Sequence, residues 1–377
     1  MSARRRALRR LVFFAAVLGL FYVVLAKYSI DVLHWMFPSN PAFQKHINPV
    51  FLGHLEGARV DLGQTLLHFV LKPYTGFQHP GNVDAEGVFA GVKYHFQTNN
   101  QGFLTRYDLD EVAGSLRAKD PDERVLIVAG GSAAFGWGAS ENAKTFPYLL
   151  EDLLNRSDVR HRWRVYNFAT GGWIAYQEYL ALDLYGSPLE PDWVVLFDGR
   201  NDVVVPTLHG ERVPNYFFYQ GERKLNVLFE DLAASPWDPW LPFLRYRRLA
   251  KRLEDVAAPP PQVLDRDEID RAVRFYLHAV ESVALRFADR KVLVMTQPEK
   301  LYNAGNPDDA ENRLIRRGYD QIIPGTARLT ERYPNLRYNN ATTGFLDPYL
   351  VDDCHLSDGG HELVARKLAE IIGAELD

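Results

Sequence analysis

The sequence predicts an α/β fold, a three-layer, doubly wound parallel sheet of about five strands with helices on both faces. Three observations carry this. Apolar runs of strand length alternate along residues 121–377 with amphipathic stretches of helix length. The runs at 124–129, 193–197 and 291–295 are apolar almost throughout, as expected of strands buried on both faces. Each of the first three runs is followed by a turn rich in glycine, asparagine or serine, at the edge where an open α/β sheet binds its ligands.

Taken in order, the first strand is 124–129, ended by Gly130-Gly131. A helix follows over 146–154, with Thr145 as its N-cap and Pro147 in its first turn. The second strand runs over about 163–168, a helix over 176–185, and the third strand over 193–197. Residues 267–287 have helical periodicity with acidic residues in the first turn. A fourth strand (291–295), a helix (309–332), a short fifth strand (336–338) and a last helix (363–372) complete the alternation. Two segments stand outside it. Residues 28–120 form an N-terminal extension in which 71–106, with alternation at 92–96, predicts short strands and turns. Residues 203–262 form an insertion after the third strand. It is rich in aromatics from Tyr216 to Tyr246 and closed by Pro259-Pro260-Pro261, and it suits either a core of its own or a wall for a sugar or acyl group.

The chain of 377 residues is long enough for one large α/β domain with extensions. Its 47% hydrophobic and 24% charged content is that of a folded protein. A net charge of -5 argues against a broad nucleic-acid-binding surface. The single cysteine, Cys354, excludes an intramolecular disulfide and a cysteine-based zinc site. No His/Asp/Glu cluster has metal-ligand spacing, so neither metal nor cofactor is expected.

Five arginines within residues 1–10 precede an uncharged apolar run at 11–26, which Lys27 ends. As a helix, those 16 residues rise about 24 Å against a hydrocarbon core of ~30 Å, and Arg10 and Lys27 can snorkel to cover the difference. The charge asymmetry puts the N-terminus in the cytoplasm and the main domain outside. Residues 1–27 are therefore read as a single-pass inner-membrane anchor. A signal peptide cut near Ala26 is the rival reading, and it sends the domain to the same side.

The turns after the strands carry the chemistry. After the first come Gly130-Gly131-Ser132, which set a serine at the mouth of a helix. After the second comes Asn167 with Gly171-Gly172, where a glycine N–H can approach an oxyanion. After the third come Gly199-Arg200-Asn201-Asp202, where an asparagine amide can do the same. Near the end, Asp352 stands three residues before His355, followed by Ser357 or Asp358 as the cap of the last helix. A carboxylate at that spacing can hold the Nδ1–H of the ring and free Nε2 as a base. Asp353 is an alternative orienter. Cys354 has no base of its own and reads as a bystander, His361 reads as structural, and His79 and His95 are isolated.

In order and spacing these four blocks resemble the SGNH/GDSL hydrolase superfamily of esterases and acyltransferases, over about residues 124–372. The first block departs from the family's name, with Gly131 where aspartate is usual. The resemblance implies a flavodoxin-like sheet and gives each residue a role. Ser132 is the nucleophile, His355 the general acid and base, and Asp352 its orienter. The N–H groups of Ser132 and Gly172 and the Asn201 side chain form an oxyanion hole.

The function implied is an extracytoplasmic serine esterase acting on an acylated small molecule or polysaccharide, with O-acetyl groups on a glycan as the first candidate. The same residues would serve an O-acyltransferase if a sugar hydroxyl replaced water. A glycan-binding scaffold without catalysis is the alternative from another class.

Overall fold

The computed structural model describes residues 70–72, 75–109, 119–209, 266–306, 308–342 and 347–376. All lie in the unit formed by Asp61–Tyr219 and Pro259–Asp377; the unit of Met1–Val60 and Gln220–Ala258 lies outside the described residues. So does the apolar run at 11–26. Among the described residues no helix is long and apolar enough to cross a membrane.

Two antiparallel hairpins come first, β1 (Val70–Lys72) with β2 (Gly76–Gln78) and β3 (Asp84–Phe89) with β4 (Val92–Gln97). The main sheet follows, with β5 (Glu123–Gly130), β6 (Arg162–Ala169), β7 (Trp193–Asp198), β8 (Lys291–Thr296) and β9 (Leu336–Asn340). All five strands are parallel, in the order β6-β5-β7-β8-β9. The helices are α1 (Ser132–Phe135), α2 (Phe146–Ser157), α3 (Ala175–Ala181), α4 (Arg200–His209), α5 (Arg266–Arg286), α6 (Lys300–Ala304), α7 (Ala310–Arg332) and α8 (Asp358–Gly373).

The apolar runs make the three layers. Along β5, Val125, Ile127 and Ala129 point into one core with Val194, Leu196, Val292 and Val294, under residues of α3, α5 and α7. Leu126 and Val128 point into the other with Val195, Phe197, Leu293 and Met295, under α2 and α8. A strand buried on both faces cannot alternate apolar with polar, hence the unbroken runs. Leu126 is fully buried, so Leu126→Ala should cost about 2–5 kcal/mol.

From β5 the chain steps to β6 on one side, then crosses to β7 on the other. The topological switch therefore lies between β5 and β7, whose carboxyl ends meet where Gly130 pairs with Phe197. The turns after these strands are forced side by side.

The predicted elements recur with shifted ends. The helix expected over 176–185 is α3 followed by a π-helical turn, Leu182–Gly186. Helix α4 occupies 203–209, the start of the expected insertion; residues 210–262 lie outside the described residues. Helix α8 begins at Asp358 rather than 363, because Gly359 and Gly360 dilute the helical pattern that Ser357 nonetheless caps. Thr145 precedes α2, but its hydroxyl donates to the Asn142 carbonyl at 2.7 Å and makes no side-chain cap. The orphan N–H of Phe146 meets Nδ1 of His361 at 3.2 Å.

Candidate active site

Strand β5 ends at Gly130, and Gly131 turns the chain so that Ser132 opens α1. A side chain in the turn would have to displace a neighbour. A Cβ at position 131 would stand 2.3 Å from Nδ2 of Asn201. The absence of a side chain at 131 thus leaves room for Asn201 to approach the turn that carries Ser132.

His355 comes from the loop before α8. Leu350 bridges Leu356, Val351 N–H donates to His355 O at 2.9 Å, and Ser357 N–H to Tyr349 O at 3.0 Å, so the loop folds back on itself. Nε2 of His355 lies 2.7 Å from Oγ of Ser132, and Nδ1 lies 2.7 Å from Oδ2 of Asp352. The other oxygen of Asp352 accepts the backbone N–H groups of Cys354 at 2.9 Å and His355 at 2.8 Å. Ser132, His355 and Asp352 are therefore hydrogen-bonded in series. Asp352 rather than Asp353 meets the ring; the Asp353 carbonyl accepts the N–H of Lys300 at 2.8 Å.

Burial works to raise the Asp352 pKa. The hydrogen bond and charge of His355 and the two backbone donors outweigh it, and hold the carboxyl well below the usual carboxylate range. Asp352 is thus ionised at neutral pH. With Nδ1–H given to it, Nε2 is left to accept from the Ser132 hydroxyl.

Gly172 lies in the turn after β6, at φ +83°, a conformation glycine adopts freely. The turn is tied to the end of β5 by the bond from Thr170 N–H to Gly130 O at 3.1 Å. Nδ2 of Asn201 donates to the Trp173 carbonyl at 2.7 Å. Both oxygens of Asp202 accept the Ala175 N–H, at 3.2 and 3.3 Å. The four blocks thus converge on one edge of the sheet.

The other singled-out residues fall elsewhere or serve differently. Burial pushes the Cys354 thiol well up, so it stays protonated, and Sγ lies 3.5 Å from Nδ1 of His355. Asp352, Cys354 and His355 offer ligand atoms within 4.8 Å of one another. A metal there would take Nδ1 from Asp352 and require the buried thiol to ionise, so the set suits the hydrogen-bonded series better than an ion. His361 is buried, and burial pushes its pKa down to about 3. The His79 ring packs on Phe135 at 4.3 Å, and exposed His95 pairs with Asp84.

Three further contacts lie beside the site. Arg200 pairs with Glu299, which is fully buried. Asp358 accepts both the N–H and the hydroxyl of Ser140 at 2.8 Å, which pins α8 to the loop after α1. Phe89, at the tip of the β3–β4 hairpin, packs against the ring of His355. Alternation at 92–96 predicted a strand where β4 lies; nothing local says which loop the hairpin meets.

No protein-family model and no curated protein matches the chain. Solved structures similar to it include the acetyl xylan esterase AlAXEase, 16% identical over 66% of this chain and 99% of that chain, with a TM-score of 0.40. Another is a two-domain esterase active on acetylated mannans, 16% identical over 67% of this chain and 49% of that chain, with a TM-score of 0.40. A third is Axe2, an acetylxylan esterase from Geobacillus stearothermophilus, 18% identical over 66% of this chain and 94% of that chain, with a TM-score of 0.38.

Proposed function

We propose that the chain is a serine hydrolase of carboxylic esters. The observation that carries the reading is the unbroken line from Ser132 Oγ through His355 to Asp352, both contacts at 2.7 Å, at the switch point of the sheet. In this reading His355 Nε2 takes the Ser132 proton as Oγ attacks the ester carbonyl. The resulting oxyanion is met by the N–H of Ser132 at the head of α1, the N–H of Gly172 and the second N–H of the Asn201 amide. The carbon–oxygen bond to the alcohol breaks, and the alcohol leaves with the proton His355 holds. Water then attacks the acyl-serine, gives a proton to His355, and releases the carboxylic acid and free Ser132. Asp352, ionised and held by two backbone donors, keeps the ring in the tautomer this sequence needs.

The substrate class follows from the resemblance and the apolar segment at 11–26. With that segment in the inner membrane the domain faces the periplasm, and O-acetyl groups on an exported glycan are the first esters to test. The test incubates the full-length chain and Ser132→Ala with p-nitrophenyl acetate, longer acyl esters and a fluorophosphonate probe. Turnover and labelling in the wild type alone support the reading. A folded wild type that neither turns over nor labels at Ser132 overturns it.

A further inference from the structure

Both nitrogens of the His355 ring are engaged, Nδ1 by Asp352 and Nε2 by Ser132. The ring turns most easily about its Cβ–Cγ bond, a broad torsion. Such a turn swings Nε2 and its lone pair off Oγ, and hydrogen bonds weaken steeply as they lose alignment.

What meets the ring from the side is Phe89. The ring centroids of Phe89 and His355 are 4.8 Å apart and the planes cross at 83°, the edge-to-face arrangement that aromatic quadrupoles favour. Phe89 is itself braced. Trp137, only 5% exposed, packs on it at 4.9 Å. Phe89 pairs with Val92 at the end of the hairpin, and Ala85, Tyr94 and Phe96 bind that hairpin into the core under α2 and α8. Strand β4 is fastened to the loop after α1 by His95 N–H to Ser140 O at 2.9 Å and Gln97 N–H to Asn142 Oδ1 at 3.0 Å.

We propose that Phe89 is a positioning residue for His355: its ring fixes the rotation of the imidazole and keeps Nε2 on the Ser132 hydroxyl. The segment before the α/β sheet is then part of the active site. The inference rests on Ser132 being the nucleophile.

The test measures the rate of Ser132 labelling by a fluorophosphonate in the full-length chain, wild type against Phe89→Ala, Phe89→Leu and Phe89→Tyr, normalised to folded protein by circular dichroism. Aromatic contacts of this kind predict a loss of about two- to tenfold for Phe89→Ala. Phe89→Tyr, which keeps the ring, restores the wild-type rate. Phe89→Leu, which keeps bulk alone, does not. Equal rates for wild type and Phe89→Ala, or full restoration by leucine, overturn the positioning role while leaving the nucleophile intact. Absence of wild-type labelling overturns the functional reading itself.

Discussion

Asn201 holds its amide nitrogen where a side chain on residue 131 would stand, 2.3 Å from the Cβ position of Gly131. Two motif blocks are thereby fitted to each other, and a methyl group at 131 must push the amide away from the serine. Gly131→Ala should lower kcat by about 10²–10³, the loss that follows removal of one oxyanion donor, with little change in KM. Steady-state kinetics on an activated ester read it; near-normal kcat would mean that Asn201 takes no part.

Asp352 accepts the His355 ring at 2.7 Å while its other oxygen takes two backbone N–H groups. Asp352→Asn keeps the shape but offers the ring an amide donor in place of an acceptor. It should lower kcat by roughly 10⁴. Asp353→Asn leaves the bond to the ring untouched and should retain most of the activity.

Much of this arrangement is legible in the sequence, and the rest is not, for a physical reason. The run from Val125 to Ala129 announces a strand buried on both faces through composition alone. Ser132, Asn201 and the Asp352–His355 pair can be found because turns after parallel strands are forced to one edge. Phe89 and Glu299 are another matter. Each meets its partner through tertiary packing, and no period or spacing records that. His361 is a half case: the sequence marks it as structural, and the fold sets it to accept the first N–H of α2, a group an N-cap side chain does not serve.

His361 makes an acid-limb prediction. Burial pushes its pKa down to about 3, below the ~6.5 of an unfolded histidine. The unfolded chain binds a proton that the folded chain refuses, so this site's contribution to stability is present above about pH 6.5 and is lost as pH falls toward 3. Asp352, also depressed, loses its contribution in the same direction, below the carboxylate range. His361→Gln should weaken the fold at neutral pH by about 1–3 kcal/mol and flatten its decline between pH 6.5 and 4.5. Denaturant unfolding at the two pH values measures both.

The opposite limb belongs to Glu178, Asp198 and Asp202, all fully or almost fully buried. Burial pushes Asp198 up to about 7 against the hydrogen bond from Tyr276, and burial with the neighbouring carboxylates holds Glu178 and Asp202 well above the carboxylate range. A raised pKa means that the folded chain keeps a proton the unfolded chain has released. That contribution is full below about pH 4 and is lost as pH rises through 7. Asp198→Asn still accepts the Tyr276 hydroxyl and removes the titration. Relative to wild type it should gain stability between pH 5 and 8, by an amount on the order of a few kcal/mol. The same difference at both pH values would mean that Asp198 does not titrate there.

The pairing of Arg200 with Glu299 sets a stability prediction that also reaches the site. The glutamate side chain is fully buried and the arginine side chain is 15% exposed, so each desolvated charge depends on the other. Oε1 of Glu299 also accepts the N–H of Leu301 at 3.0 Å, and the next residue along from Glu299, Lys300, donates to Asp353 O beside the histidine loop. Removing one partner leaves a buried charge uncompensated, whereas replacing both with apolar residues of like volume removes the charge and its desolvation cost together. Glu299→Leu or Arg200→Met alone should therefore lose about 3–5 kcal/mol. Arg200→Met with Glu299→Leu should lose far less than the two single losses added. Equilibrium unfolding of the four proteins closes the cycle, and strict additivity would show that the two charges do not depend on each other.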